Sequence, residues 1–258
     1  VSSVPKLCIL ASEHTHYSVS RAAGIMGLGT EAVIPIACDE HGRMRMDALK
    51  QAHQNCIAHQ QTIIAVAANA GCTATGSIDP LEAIGQYCQA NKLWFHVDGA
   101  YGLAALCAPS VRSKFNGVER ADSLIVDPHK WLFAPFDACA LIYRNPEVAR
   151  KAHTQQAGYL ETLESGEWNP SDYAIHLTRR VRGLPFWFSL ATHGTKKYAE
   201  SMDKTMDLAR EAAELIKEHP NLELLMEPQL SIVAFTRKGW SREDYQRWSD
   251  KLLNDQIG

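Results

Sequence analysis

The segment Ser123-Leu-Ile-Val-Asp-Pro-His-Lys-Trp131 places a lysine shortly after a compact apolar run. Such a run predicts a buried strand, so Lys130 is expected near a strand end. An ammonium group resists desolvation there unless a neighbour compensates its charge or its pKa falls. A lysine with a lowered pKa is a nucleophile that forms Schiff bases with carbonyl groups. The segment therefore predicts a reactive lysine, with an ordinary solvated lysine as the alternative.

A second segment, Leu93-Trp-Phe-His-Val-Asp-Gly-Ala-Tyr-Gly102, ends another predicted strand in an acid and two glycines. Asp98 is expected at the carboxyl end of that strand, the edge at which open α/β sheets bind ligands. A carboxylate at this edge can pair with a protonated pyridine nitrogen, as enzymes that use pyridoxal 5'-phosphate (PLP) require. The alternative is that Asp98 only caps the following helix.

The two segments together resemble one family. The H-V-D-G-A-Y run from His96 to Tyr101 and the A-D-S-L-I-V-D-P-H-K-W run from Ala121 to Trp131 are similar to the group II PLP-dependent amino-acid decarboxylases. That family includes the aromatic-amino-acid, glutamate, histidine and cysteine-sulfinate decarboxylases. The likeness extends from Val1 to Gly258, with its strongest motifs between His16 and Trp131.

The resemblance implies an α/β fold of the fold-type I PLP-dependent class, with a mostly parallel sheet and helices on both faces. It implies a large PLP-binding domain over residues 1–190 and the start of a small α+β domain over 191–258. Family members carry a Ser/Thr/Gly-rich phosphate-binding turn upstream and more of the small domain downstream. We therefore expect this sequence to be a fragment or a processed chain with both domains incomplete.

The resemblance also implies roles for individual residues. Lys130 would hold PLP as an internal aldimine, and Asp98 would keep the pyridine nitrogen protonated. His16, in the match His16-Tyr-Ser-Val-Ser-Arg-Ala22, would stack on one face of the ring, and Ala100 would pack on the other. Further contacts to the cofactor are expected from Thr73, His129 and Ser123.

A mobile loop of the family supplies a tyrosine that is thought to protonate the substrate carbanion. Tyr159 and Tyr173 are the candidates here, because both lie in a predicted irregular segment from His153 to Tyr173. Lys130 is the alternative proton donor. Asp127 departs from some relatives, which have asparagine at this position. A carboxylate here would repel the phosphate group of the cofactor unless it turned away or bound a hydrogen-bond donor.

The hydrophobic pattern predicts the elements around these motifs. Strands are expected at 6–11, 31–36, 62–68, 222–226 and 231–236, and helices at 19–26, 47–59, 81–88, 196–219 and 242–253. The segment Arg179-Arg-Val-Arg-Gly-Leu-Pro-Phe-Trp-Phe188 is similar to a family segment whose arginines help to fix the domain interface.

Composition narrows the class of protein. The chain has 258 residues, with 26 lysines and arginines against 29 acids, so its net charge of −3 predicts neither a nucleic-acid nor a membrane partner. No apolar run reaches membrane-spanning length and no signal-peptide pattern opens the chain, which makes a cytoplasmic protein the default expectation. The seven cysteines form no C-x-x-C pair and are expected to be reduced.

The predicted function is decarboxylation of an L-amino acid by a homodimer whose sites lie at the subunit interface. Aromatic substrates are favoured because the central motifs contain no arginine that could receive an acidic side chain. The alternatives are another fold-type I reaction, such as that of an aminotransferase or lyase, and a catalytically incomplete or structural fragment. A metal-dependent amidohydrolase, in which His14 and His16 share a metal, fits poorly because nothing resembles eight βα repeats, and no metal is expected.

Overall fold

The computed structural model describes residues 6–154 and 169–255. A six-stranded sheet forms its centre, with the strand order β2-β1-β3-β4-β5-β6. Strands β1 to β5 are parallel, and β6 runs antiparallel to β5. The strands are β1 Lys6–Ser12, β2 Val33–Ile36, β3 Gln61–Asn69, β4 Phe95–Asp98, β5 Ser123–Val126 and β6 Ala140–Tyr143. This arrangement confirms the predicted α/β class and the mostly parallel sheet.

Helices follow most of the strands, as parallel connections require. They are α1 Ser18–Ile25, α2 Met46–Ala58, α3 Leu81–Asn91, α4 Pro146–His153, α5 Gly183–Glu218 and α6 Arg242–Asn254. A separate antiparallel pair, β7 Leu222–Leu224 and β8 Phe235–Arg237, lies between α5 and α6 in sequence. The helices predicted at 47–59 and 242–253 are thus confirmed to within a residue at each end.

The central strands are nearly continuous apolar runs because helices cover both faces of the sheet. Leu10 of β1, Val66 of β3 and Val97 of β4 are fully buried in one core. Leu49 of α2 and Ile84 of α3 pack into the same core from the covering helices. Burial of these side chains holds the parallel strands in register and so fixes which residues meet at each edge of the sheet.

The helix predicted at 196–219 is confirmed by the part of α5 that follows Gly194, and α5 also has an earlier part that begins at Gly183. The sequence signal was hidden because Gly183 and Pro185 are usually read as breakers, yet proline is tolerated in a first helical turn. Gly194, with φ 73° and ψ 159°, is not helical and separates the two parts by a kink. The predicted domain boundary near residue 190 falls within the first half of α5 and stays a prediction.

The strand predicted over 231–236 is much shorter than expected, because β8 begins only at Phe235. Ser231 is held differently, since its backbone N–H donates to the hydroxyl oxygen of Tyr101 at 3.0 Å. A side chain from the loop after β4 therefore takes the place of a strand partner.

Within the described ranges, no helix combines the length and the apolar character that crossing a bilayer requires.

Candidate active site

The candidate site lies at the carboxyl edge of the sheet, where β1, β3, β4 and β5 end together. Parallel strands bring the residues that follow them to one edge, and this is where α/β proteins bind ligands. His16, Thr73, Asp98, Ala100 and Lys130 line one cleft of about 250 Å³ there. The structure therefore brings together five of the residues predicted from the sequence.

Lys130 lies in a tight turn directly after β5, where its backbone N–H donates to the carbonyl oxygen of Asp127 at 2.9 Å. The Lys130 Nζ atom is 3.0 Å from Asp127 Oδ2. Asp127 is buried, but the Lys130 side chain is 40% exposed. The turn thus holds a primary amine at the mouth of the cleft with a carboxylate beside it.

The other oxygen of Asp127 differs from the first. Asp127 Oδ1 is buried and has no hydrogen-bond partner in the described part of the chain. The amide nitrogen Nδ2 of Asn69, at the end of β3, is likewise buried without a partner, and Asn69 also lines the cleft. Buried polar atoms are nearly always paired in folded proteins, so two orphaned atoms beside one cleft indicate a site that takes a polar ligand.

Asp98 is the last residue of β4 and is half-buried. Its Oδ1 atom accepts a hydrogen bond from the backbone N–H of Ala100 at 3.1 Å. His96 lies two residues earlier, with Nδ1 2.8 Å from the hydroxyl oxygen of Ser123. Burial lowers the pKa of His96, although the Asp98 carboxylate opposes the change, and this favours the neutral imidazole.

His16 follows β1 and immediately precedes α1. Its Nδ1 atom accepts the backbone N–H of Ser18 at 3.3 Å and lies 2.8 Å from the Ser18 hydroxyl oxygen. The Tyr17 ring lies 4.3 Å from the His16 ring, centroid to centroid. These contacts orient a flat imidazole at the wall of the cleft.

The loop after β3 approaches the loop after β4 very closely. A Cβ atom on Gly71 would lie 2.6 Å from the Cα atom of Gly102, and Gly71 has φ +101°. Only glycine allows this approach. The contact sets the position of Thr73, two residues further on, at the cleft.

Tyr101 is a cleft residue to which sequence reasoning assigned no role. Its ring stacks on Trp131, with centroids 4.9 Å apart and planes inclined by 19°. Burial raises the pKa of Tyr101, and hydrogen bonds with Ser231 oppose the rise. Both aromatic residues belong to the quoted motifs, so their presence was visible, but their stacking depends on the meeting of two loops.

A second cavity of about 350 Å³ adjoins the cleft and is lined by Thr73, Tyr101, Lys130, Trp131 and Ile232. Three of these residues, Thr73, Tyr101 and Lys130, also line the first cleft. Lys130 therefore lines both cavities, and the second is walled mainly by apolar and aromatic side chains.

Other predicted site residues are placed elsewhere. His129 does not line the cleft, and its Nδ1 atom accepts the backbone N–H of Ala138 at 2.9 Å. Ser123 begins β5 at the opposite edge of the sheet, where its hydroxyl oxygen accepts from the Trp94 indole N–H at 2.9 Å. Tyr173 ends a short helical turn, Pro170–Tyr173, and does not line the cleft. Tyr159 lies outside the described residues.

Two larger cavities, of about 600 and 760 Å³, do not coincide with this cleft. Charged side chains around the first already have protein partners, as in the 2.7 Å ion pair between Arg120 and Glu82. Size alone therefore does not identify the site. The cleft at the carboxyl edge differs in its orphaned polar atoms and in its position where the parallel strands end.

The residues of the cleft fit PLP. The cleft offers an amine for the aldehyde, a carboxylate for the pyridine nitrogen and a flat imidazole for the ring. The unpartnered amide of Asn69 and the hydroxyl of Thr73 are available to the polar edge of the cofactor. Asp127 does not suit a phosphate group, and its Oδ2 atom is directed to Lys130 instead.

Comparison with known proteins gives consistent findings. Residues 2–238 match the model of the pyridoxal-dependent decarboxylase conserved domain. The chain is 34% identical over 239 residues to an acidic amino acid decarboxylase of Xenopus tropicalis, covering 91% of this chain and 47% of that protein. It is 32% identical over 237 residues to an aromatic-L-amino-acid decarboxylase of Bacillus atrophaeus, covering 91% and 49%.

Solved structures agree with the sequence matches. The crystal structure of mouse CSAD superposes with a TM-score of 0.86 at 30% identity, over all of this chain and 56% of that one. A rice TDC structure with PLP and tryptamine superposes with a TM-score of 0.89, over 99% of this chain and 54% of that one; at 24% identity this shows a shared fold.

The chain spans about half the length of the curated relatives that it matches. The family match nevertheless covers most of the chain and includes His16, Asp98 and Lys130. PLP is the cofactor of this family, and its members are carboxy-lyases. The chain belongs to the family of pyridoxal-dependent decarboxylases.

Proposed function

We propose that the protein is a PLP-dependent decarboxylase of an L-amino acid. The observation that carries this proposal is the convergence of the Lys130 amine, the Asp98 carboxylate and the His16 imidazole on one cleft at the carboxyl edge of the sheet. Family membership supports the same reaction class.

When bound, PLP supplies an electron sink that stabilises the carbanion left as carbon dioxide departs. The protein's own residues would hold and orient the cofactor. Lys130 would attach the cofactor covalently through its amine. Asp98 would form an ion pair with the protonated pyridine nitrogen, and the backbone N–H of Ala100 already holds one oxygen of that carboxylate in place.

The remaining contacts would fix the plane of the ring. His16 is oriented by Ser18 and would stack on one face, while Ala100 would pack against the other. Thr73 and Asn69 would donate to the polar edge of the cofactor. Roles for His129 and Ser123 in cofactor binding stay predictions, and the contacts described above favour a structural role for both.

Lys130 would also return a proton to the substrate carbon, and its lining of both cavities supports this role. A general acid must lie within hydrogen-bond reach of the atom that it protonates. A tyrosine from the segment between His153 and Tyr173 is the other candidate, and Tyr159 and Tyr173 remain the residues to test.

An aromatic substrate is the finer part of the proposal. The cavity next to Lys130 is walled by Tyr101, Trp131 and Ile232, and Lys130 is its only cationic lining residue in the described chain. A hydrophobic wall favours an apolar side chain, whereas an acidic substrate would leave its carboxylate without a cationic partner.

The proposed assembly is a homodimer, and a cytoplasmic location is the accompanying expectation. Phe136, Trp187 and Phe188 expose 84%, 59% and 56% of their surfaces. Large exposed aromatic side chains are typical of surfaces that another chain covers. Sedimentation velocity on the full protein is expected to give the mass of a dimer, and a monomer at micromolar concentration would contradict this assignment.

The reaction is tested by supplying PLP and measuring carbon dioxide release from a panel of amino acids. Tryptophan, tyrosine, phenylalanine, glutamate, aspartate and cysteine sulfinate together distinguish the substrate classes. Carbon dioxide without keto acid is expected, with aromatic substrates fastest. Keto-acid formation would indicate transamination, and no turnover despite PLP binding would indicate a structural role. Asp98→Asn is the matched variant, expected to bind PLP but to react on the order of 10²-fold more slowly.

A further inference from the structure

The H-x-H pair after β1 is only partly used by the cleft. His16 lines the cleft, whereas His14 belongs to a different group on the surface. There, ligand atoms of Glu13, His14 and Cys38 all lie within 4.8 Å of one another. The two histidines therefore do not share one site, and the role of His14 requires a separate account.

We propose that Glu13, His14 and Cys38 form a zinc site with one carboxylate, one imidazole and one thiolate ligand. Zn²⁺ accepts this set of ligands, and three protein ligands with an open fourth position are typical of zinc sites that bind water or an exchangeable group. Magnesium and calcium prefer oxygen ligands alone, so the sulfur and nitrogen atoms select against both.

The sheet topology brings the three residues together. Strands β1 and β2 are parallel neighbours, with Ser12 opposite Ile36, so the residues that follow each strand meet at the same edge. The backbone N–H of Glu13 donates to the carbonyl oxygen of Ile36 at 2.9 Å. This bond fixes Glu13 and His14 against the segment that carries Cys38.

Further bonds orient the ligands. One carboxylate oxygen of Glu13, Oε1, accepts the backbone N–H of Cys38 at 2.5 Å. The Ser12 hydroxyl lies 3.2 Å from Cys38 Sγ and 3.3 Å from the backbone nitrogen of His14. Hydrogen bonds that orient metal ligands in this way commonly change metal affinity by 10- to 100-fold. The pair of strands thus presents a largely preformed site.

Zinc binds the thiolate form of cysteine rather than the thiol. Binding of Zn²⁺ therefore displaces the thiol proton: the S–H bond breaks, a Zn–S bond forms and one proton enters the solvent. Affinity is expected to increase as pH rises from about 6 to 8.

The test uses the full protein loaded with PLP. After removal of metal with a chelator, it is titrated with ZnSO₄ in competition with a chromophoric chelator. We expect one Zn²⁺ per chain and proton release on binding. X-ray absorption at the zinc edge is expected to show one sulfur at about 2.3 Å together with lighter ligands at about 2.0 Å.

Cys38→Ser is expected to remove the sulfur signal and to weaken Zn²⁺ binding at least 10-fold. His14→Ala, at an exposed position, should weaken binding similarly without disturbing the fold. Cys107→Ser is the matched control, because Cys107 is an exposed cysteine outside the group, and it should leave binding unchanged. Absence of a sulfur ligand, or equal affinity in the Cys38→Ser and Cys107→Ser variants, would overturn the proposal.

Discussion

Two buried aspartates, Asp79 and Asp127, follow strands β3 and β5 of the same sheet, yet their environments are opposite. Asp79 is 3% exposed and Asp127 is 8% exposed. Asp79 accepts the backbone N–H of Met44 on Oδ1 at 2.6 Å and that of Asn69 on Oδ2 at 2.7 Å. Asp127 leaves one oxygen unpaired, and its other oxygen is 3.0 Å from a partly exposed amine.

We propose that the difference separates a structural carboxylate from a functional one. Asp79 ties the end of β3 to the chain that precedes α2, so its hydrogen bonds hold the fold together. Asp127 bears the cost of an unmade hydrogen bond, which folded proteins rarely keep without a use. The other oxygen, Oδ2, faces the Lys130 amine, and we propose that Asp127 positions that amine.

Removal of that amine is the change with the largest expected effect. Lys130→Ala should reduce carbon dioxide release on the order of 10³-fold or more, because covalent attachment and the nearest proton donor are both lost. Circular dichroism should show an unchanged fold, since the side chain is 40% exposed. Retention of substantial activity by a folded Lys130→Ala protein would contradict the functional role proposed for the pair of Asp127 and Lys130.

Replacement of the structural carboxylate should affect stability instead. Asp79→Asn puts an N–H₂ group against a backbone N–H, and the expected loss is about 1–3 kcal/mol in the free energy of unfolding. The measurement is urea denaturation, read as a change in midpoint at constant slope. No change in stability would mean that the two backbone hydrogen bonds contribute little.

The difference in stability between the native protein and the Asp79→Asn variant should depend on pH. Burial raises the pKa of Asp79 to about 6, with the Met44 and Asn69 hydrogen bonds opposing. The folded state therefore binds the Asp79 proton more tightly than the unfolded state, and this contribution to stability is lost as pH rises from about 4 to about 6. The stability gap between the native protein and Asp79→Asn should be larger at about pH 5 than at about pH 8. A gap that widens with pH would contradict this sign.

Ser123 at the amino edge of the sheet provides a smaller test. Its hydroxyl accepts from Trp94 and lies within hydrogen-bond distance of His96, so Ser123→Ala should cost about 1–2 kcal/mol of stability. PLP affinity should not change, because this residue lies away from the cleft. Weaker PLP binding by a stable Ser123→Ala protein would instead support the role that the family motif implies.

Asp127→Asn should have the smallest effect on stability, within about 1 kcal/mol, since it removes a buried negative charge while weakening an ion pair that is partly exposed. It should nevertheless change the rate at which Lys130 combines with PLP, measured by stopped-flow absorbance. Asp39→Asn, at a surface carboxylate that pairs with Arg43, is the control and should not alter this rate. A large loss of stability in Asp127→Asn would mean that Asp127, like Asp79, has a structural role.

Much of this organisation could be predicted from the sequence. The apolar runs before Asp98 and Lys130 predicted strands, because buried parallel strands have few polar residues. Because parallel strands end at the same edge of a sheet, both residues were expected at one edge. The motif around His16 extended the prediction to a third strand end, and the structure brings all three to one cleft.

Other features could not be read from the chain. The stacking of Tyr101 on Trp131, the orphaned amide of Asn69 and the pairing of Asp127 with Lys130 depend on side-chain directions in loops. The early start of α5 was concealed because Gly183 and Pro185 carry helix-breaking propensity, which the position at a helix start overrides. Local patterns do not contain such tertiary information.

The most direct measurement of the central claim is reduction of the PLP-loaded protein with borohydride, followed by peptide mapping. If Lys130 holds the cofactor, the visible absorption band of bound PLP should disappear on reduction. One peptide should then carry a pyridoxyl group on Lys130. A label on another lysine, or no label despite stoichiometric PLP binding, would contradict the account.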